Sequence, residues 1–286
     1  MYQQKKITSN NIDISYLEWS TSTTSNDSEP ILLLHGMADN CLVWKNFGSY
    51  FWDRHDNRRI IAPDLRGHGD SSKPDTGYFY GDYFADLEAI YEHFNWQKVN
   101  IVAHSWSAKI ACLWATQYPD RCQSLVLIDP FFINSMPSIF KLSFPLLYKV
   151  LPFLKLMQSF PDYESAQIVG KSLKQYQGWT SWQKEIFDYG MEEKADRTWS
   201  SKFSIPARNE IFIDVMKQKG LSKKLDIPSL LVLPENGLNR SSWQIKPYEK
   251  YLTNLQKATV KGNHWAFVVE PDDFNKTIEN FLLKMC

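Results

Sequence analysis

Residues 99 to 111 read VNIVAHSWSAKIA. The apolar run 99–103 suits a buried strand, 108–115 reads as the start of a helix, and His104-Ser105-Trp106-Ser107 lies between them. A serine hydroxyl is a poor nucleophile at its own pKa and needs a base within hydrogen-bond reach. A sharp strand-to-helix turn would lift it above a sheet with a helix N-terminus beneath, a geometry suited to attack on an acyl carbon. Glycine usually stands two residues to either side, because backbone packing there is tight and strained. Here those positions hold Ala103 and Ser107, the next smallest side chains. The competing assignment for Ser105 is a plain helix N-cap.

Other chemistries find less support. His and Cys are dispersed, with neither H-E-x-x-H nor G-x-x-x-x-G-K, so no metal and no cofactor is expected. Cys41, Cys112, Cys122 and Cys286 form no C-x-x-C pair, and the N-terminus (MYQQKKITSN) does not look secretory. A reduced, cytoplasmic protein is the expectation, and three N-x-S/T matches are discounted with it. Lys and Arg number 32 and Asp and Glu 32, a net charge of +0 that offers no electrostatic footprint for nucleic acid. Aromatic residues make up 15% of the chain, with 11 tryptophans, enough to line an apolar pocket as well as a core. The apolar stretch 131–157 contains Lys141, Lys149, Lys155 and three prolines. No charge-free run reaches the roughly 18 residues a spanning helix needs, so stable membrane insertion is not expected. Surface contact with lipid is a minor alternative for this stretch.

The elements that would position Ser105 alternate along the chain. Strands are expected at 5–9 and 11–18, joined at Asn10-Asn11, followed by a polar loop at 21–29. Further strands are expected at 30–34, 59–62, 99–103, 124–128, 228–233 and 258–260, with helices at 42–52, 78–94, 106–117 and 272–284. This predicts an α/β fold: a mostly parallel, doubly wound sheet of about eight strands. Between 131 and 222 the strand signal disappears. Residues 1–130 and 223–286 therefore read as the core domain, and 131–222 as an inserted helical cap.

Four stretches occur in one order: LLLHGMADN (32–40), APDLRGHGDSSKP (62–74), VAHSWSA (102–108) and KGNHWAFVVEP (261–271). Together they resemble the α/β-hydrolase superfamily over about residues 30–130 and 225–284. The resemblance implies Ser105 as nucleophile, His264 as its base, and the backbone N–H groups of Met37 and Trp106 as an oxyanion hole. Trp106, Trp265 and Phe131 would line the substrate pocket. His35 and His68 would fix their loops, His104 would pack beside the serine, and His55 and His93 would be surface or helix residues. Asp64, Arg66 and Asp70 are expected to hold the DLRGHGDSS loop by pairing.

The acid is less direct. Many relatives carry it in a G-x-x-D pattern past the strand before the histidine, but here the stretch is LPENGLN and Gly237 stands where Asp is expected. Some relatives, haloalkane dehalogenases among them, carry it one strand earlier, where SLVLIDP places Asp129. Asp129 is the preferred acid, with Glu235 as the alternative. Dehalogenases and epoxide hydrolases of this fold use an Asp nucleophile, whereas Ser105 suits acyl transfer. The expectation is a cofactor-free serine hydrolase acting on a small apolar ester or related acyl substrate. Its alternatives are other chemistry on the same fold (C–C bond hydrolase, lyase, cofactor-free oxygenase) or a non-catalytic ligand receptor.

Overall fold

The computed structural model describes residues 2–21, 29–55, 58–131 and 133–284. Most of the polar 21–29 stretch, one N-x-S/T match (26–28) and Cys286 lie outside the described residues. The chain begins with an antiparallel hairpin of β1 (Gln3–Ser9) and β2 (Ile12–Trp19). Asn10 and Asn11, at its tip, both adopt positive φ, which a short polar side chain tolerates and a two-residue hairpin turn demands. Then follow β3 (Ile31–Leu34), α1 (Lys45–Trp52), β4 (Ile60–Pro63), α2 (Tyr80–Phe94), β5 (Val99–His104), α3 (Trp106–Gln117) and β6 (Cys122–Ile128).

An insertion follows, with α4 (Phe144–Val150), α5 (Tyr163–Lys171), α6 (Ser181–Gly190), β7 (Met191–Glu193), β8 (Trp199–Ser201) and α7 (Ile205–Lys217). The chain then returns through β9 (Ser229–Asn236), α8 (Ser242–Tyr251), β10 (Leu255–Asn263), α9 (Ala266–Val269) and α10 (Pro271–Leu283). The eight-stranded sheet has the order β1-β2-β4-β3-β5-β6-β9-β10, and every pair from β4 onward is parallel.

The central strands β3 and β5 are buried at every position, as a continuous apolar run covered on both faces requires. Alternate residues divide between two cores. Leu32 and Leu34 pack with α2 and α3, while Ile31 and Leu33 pack with α1 and α10.

Two departures from the sequence expectation have simple causes. The insertion is not wholly helical: β7 and β8 pair as a small antiparallel ribbon, each too short to show alternation. Helix α8 carries Pro247 in its interior, and that proline masks its periodicity.

The insertion is fastened at both of its ends. Met136 N donates to Met216 O at 2.8 Å and Gly220 N to Ile133 O at 2.8 Å. From α3, the fully buried Lys109 donates through Nζ to Val215 O at 2.5 Å and Asn134 O at 3.3 Å. Burial pushes this amine down to about 8. On the far side Tyr189 donates to Asp64 Oδ2 at 2.6 Å, and Lys45 pairs with Glu185 at 2.6 Å.

Asp64 holds the loop and the Asp70 carboxylate pairs outward with Lys202 at 2.7 Å, but Arg66 pairs with neither carboxylate. It makes a two-pronged pair with Asp86, at 2.6 and 2.5 Å, while Asp64 accepts from the Cys41 and Asp70 backbone N–H groups at 2.7 and 2.9 Å.

Two glycines respond to the same substitution with opposite signs. A Cβ at Gly48 of α1 would lie 2.4 Å from the buried Trp19 ring, whereas one at Gly81 meets nothing within 4 Å. Denaturant unfolding should show Gly48→Ala destabilised by about 1–3 kcal/mol. Gly81→Ala should be stabilised by about 0.4–1 kcal/mol through its less mobile unfolded chain.

Candidate active site

Ser105 occupies the single residue between β5 and α3, at φ 57° and ψ −116°. This is a backbone region L-residues rarely adopt, and neighbours on several sides hold it there. Ser105 N donates to Ile128 O at 2.8 Å, and Ala103 pairs with Leu34 in the adjoining strand. Ser107, standing where glycine is customary, is fully buried and has a place for its hydroxyl. Its Oγ accepts from His104 N at 3.1 Å and lies 2.9 Å from the carbonyl oxygens of Leu34 and His104, either of which can take its proton.

His264 sits in the turn between β10 and α9. Its Nε2 is 2.9 Å from Ser105 Oγ and its Nδ1 is 2.6 Å from Asp129 Oδ2. His104 lies alongside, with ring centroids 4.4 Å apart, and its Nε2 is 2.9 Å from His264 O. A carbonyl only accepts, so that His104 nitrogen carries the proton. Burial, then the neighbouring His264, lowers the His104 pKa, against the opposing pull of the Asp39 carboxylate. His104 thus fastens the backbone of the residue whose side chain faces Ser105.

Asp129 follows β6 with φ 39°, and its side chain is 1% exposed. The carboxylate accepts from His264 Nδ1, from Leu238 N at 2.7 Å, from Asn239 N at 3.1 Å and from Asn239 Nδ2 at 2.8 Å. Burial alone would raise its pKa. The hydrogen bond and charge of His264, then the Leu238 and Asn239 donors, outweigh burial and hold it below the ordinary carboxylate range. An ionised Asp129 requires the proton on His264 Nδ1, which leaves Nε2 to accept from Ser105 Oγ.

The missing acid at Gly237 acquires a physical reason. A Cβ at residue 237 would lie 2.7 Å from Asp129 Oδ2 and 2.9 Å from its Cγ and Oδ1. The Asp129 carboxylate fills the space a side chain at 237 would occupy. Glu235 is exposed, and among the described residues no hydrogen bond joins it to His264.

Met37 and Trp106 flank the serine. Among the described residues, no acceptor meets either backbone N–H. For Trp106 this follows from its place at the first position of α3, where an N–H has no intrahelical partner. Both residues line a cleft of about 280 Å³ that also reaches Ser105 and His264. Trp265 and Phe131 line it too, together with Leu151, Pro152, Phe153 and Leu238. Polar residues at its walls include Asp39, Lys174 and Arg240.

Sequence reasoning missed Asp39, which takes the Trp265 indole N–H at 3.0 and 3.1 Å and so sets that wall of the cleft. It also missed Asn239; the Asn-Gly of PENGLN signals a turn, but nothing in its spacing points to Asp129. Among the described residues no group of three or more His, Cys, Asp or Glu is arranged to hold a metal, and no helix is long and apolar enough to cross a membrane.

Comparison with known proteins follows the same outline. The family model for the alpha/beta hydrolase fold matches residues 29–271. A soluble epoxide hydrolase from Corynebacterium sp. (strain C12) is 31% identical over 106 residues, covering 37% of this chain and 36% of that relative. The chain thus spans little more than a third of that protein's length. A serine hydrolase-like protein from Danio rerio is 24% identical over 267 residues, covering 88% of this chain and 81% of its own. Among solved structures, E-2-(acetamidomethylene)succinate hydrolase superposes with a TM-score of 0.78 at 22% identity over 99% of both chains. A thioesterase domain from the curacin biosynthetic pathway reaches 0.73 at 18% identity, again over 99% of both.

The crowding at residue 237 yields a double-mutant cycle. Gly237→Asp alone should destabilise by about 1–3 kcal/mol in urea unfolding, and placing it on Asp129→Gly should recover part of that loss. Strict additivity would show that the two sites do not share one space. The lowered Asp129 pKa has a pH signature as well. Its contribution to stability is complete above the unfolded carboxylate value of about 3.9 and disappears as pH falls through the lower native value. The Tm gap between wild type and Asp129→Asn should therefore narrow below about pH 4.

Proposed function

The chain belongs to the α/β-hydrolase fold family, and from that premise we propose that it is a serine hydrolase acting on a small apolar ester or related acyl substrate. Its similarity to hydrolases supports hydrolytic activity; the ester substrate and the acyl-enzyme are our reading. The observation that carries it is the continuous chain from Ser105 Oγ through His264 to the buried Asp129 carboxylate, at 2.9 and 2.6 Å.

In this mechanism Ser105 Oγ attacks the acyl carbon while its proton passes to His264 Nε2. The charge that develops on the substrate oxygen is taken up by the N–H groups of Met37 and Trp106. Asp129 holds the His264 tautomer and stabilises the imidazolium formed in the transition state. His264 then protonates the leaving oxygen, whose bond to the acyl carbon breaks. Water, deprotonated by the same nitrogen, attacks the acyl carbon. The Ser105 Oγ–acyl bond breaks as His264 returns the proton to Oγ, releasing the acid and the free Ser105 hydroxyl. Apart from substrate and water, the groups used in these steps are side chains and backbone N–H groups of the chain. The aromatic and aliphatic walls of the cleft support an apolar acyl or alcohol part. Residues 131–222 act in this reading as a cap, since Phe131 and Leu151 to Phe153 close one side of the cleft.

The names of several relatives raise epoxide hydrolysis and dehalogenation as a second chemistry. Those reactions displace at carbon with a carboxylate nucleophile, and a serine stands at that place in this chain.

A fluorophosphonate probe tests the assignment. Wild type should be labelled and Ser105→Ala should not. Asp129→Asn should lower ester turnover by about 10³–10⁴-fold, and Glu235→Gln should leave it unchanged. Unlabelled but folded wild type would sink the proposal, and loss of turnover in Glu235→Gln alone would reassign the acid.

A further inference from the structure

The segment that leads into α4 presents two unlike faces. Phe144 is buried and Tyr148 half-buried against Phe212 of α7, with ring centroids 5.6 and 5.1 Å away. The other face is open: Ile139 is 69% exposed, Leu142 81%, Leu146 63% and Val150 54%. Residues 138–143 form a 3-10 turn, in which positions three apart stack, and α4 continues with a spacing of four. The four side chains therefore form one apolar stripe on solvent. Soluble surfaces scatter single apolar residues; a contiguous row of large ones marks an interaction surface.

Two further features say what would cover the stripe. From 130 to 161 the chain has no Asp or Glu, while Lys141, Lys149 and Lys155 all fall within it, in a protein of net charge +0. Among the described residues no ion pair uses any of these lysines. Directly after Val150, the residues Leu151, Pro152 and Phe153 line the cleft that holds Ser105. Exposed leucines flanked by unpaired lysines match an interface of acyl chains beneath anionic headgroups. A protein partner of matching shape would call for anchored aromatic or polar contacts instead.

We propose that residues 139–155 dock this protein on an anionic lipid surface, with the mouth of the cleft at the edge of the contact. Leu142 and Leu146 enter the boundary between headgroups and acyl chains, and the lysines sit among the headgroups. Docking of this kind is peripheral and needs no spanning helix. It is independent of the reaction Ser105 performs.

The test is co-sedimentation of the full chain with vesicles of phosphatidylcholine alone, and with vesicles in which phosphatidylglycerol replaces part of it. Wild type should sediment with the anionic vesicles and release as salt is added. Leu142→Ser with Leu146→Ser should lower the partition coefficient by at least about tenfold. Lys141→Gln, Lys149→Gln and Lys155→Gln combined should lower it by about fivefold per lysine. These side chains lie outside the cleft, so fluorophosphonate labelling in solution should be the same in every variant. Three results would each overturn the docking proposal: wild type that ignores anionic vesicles, serine variants that bind as wild type does, or a stripe that instead drives self-association abolished by those substitutions. Failure of labelling in wild type would count against the serine-hydrolase proposal alone and leave the vesicle result standing.

Discussion

A carboxylate almost sealed from water at the end of β6 sets the terms for everything around it. Burying a charge is costly unless partners surround it. Asp129 meets that condition with four donors: the His264 ring, two backbone N–H groups and the Asn239 amide. The loop after β9 must therefore wrap the carboxylate closely enough for Leu238 and Asn239 to reach it. That wrapping leaves no room for a side chain at 237. The glycine that looked like a defect in the sequence is a requirement of the arrangement.

The same dependence runs outward from His264. Once its Nδ1 is committed to Asp129, its Nε2 has one direction left, and the sharp turn at Ser105 places a hydroxyl there. That turn carries left-handed backbone at a non-glycine residue, a conformation that persists only when its surroundings over-determine it. Ser107 contributes by linking the backbone of His104 with the carbonyl edge of β3. His104 contributes from the other side by holding the His264 carbonyl. A small polar residue here supplies cross-links that a glycine has no atoms to make.

Much of the fold was legible from the chain. The continuous apolar runs at β3, β5 and β6 suited buried strands, and their alternation with amphipathic helices implied the parallel sheet. Ser105 could be singled out because a strand-to-helix junction is a local pattern. The seat of Asp129 was harder to read, since Leu238 and Asn239 reach it across more than a hundred residues of intervening chain. Asp39 shows the same limit: its partner Trp265 lies far along the sequence, and backbone geometry alone brings them together. The polar edge strand β10 was longer than its apolar residues suggested, because an edge buries little and so leaves little periodicity.

The fastening of the insertion has a mechanical consequence. Its two roots are stitched together beside Lys109, and its far end is pinned through Tyr189 and Glu185. It is an arch on separate footings and not a flap on one hinge. A flap can swing as a rigid piece; an arch changes the opening beneath it only by bending along its span. The span between the first root and the pinned end includes Leu151, Pro152 and Phe153, so any load on that stretch is felt first at the rim of the cleft.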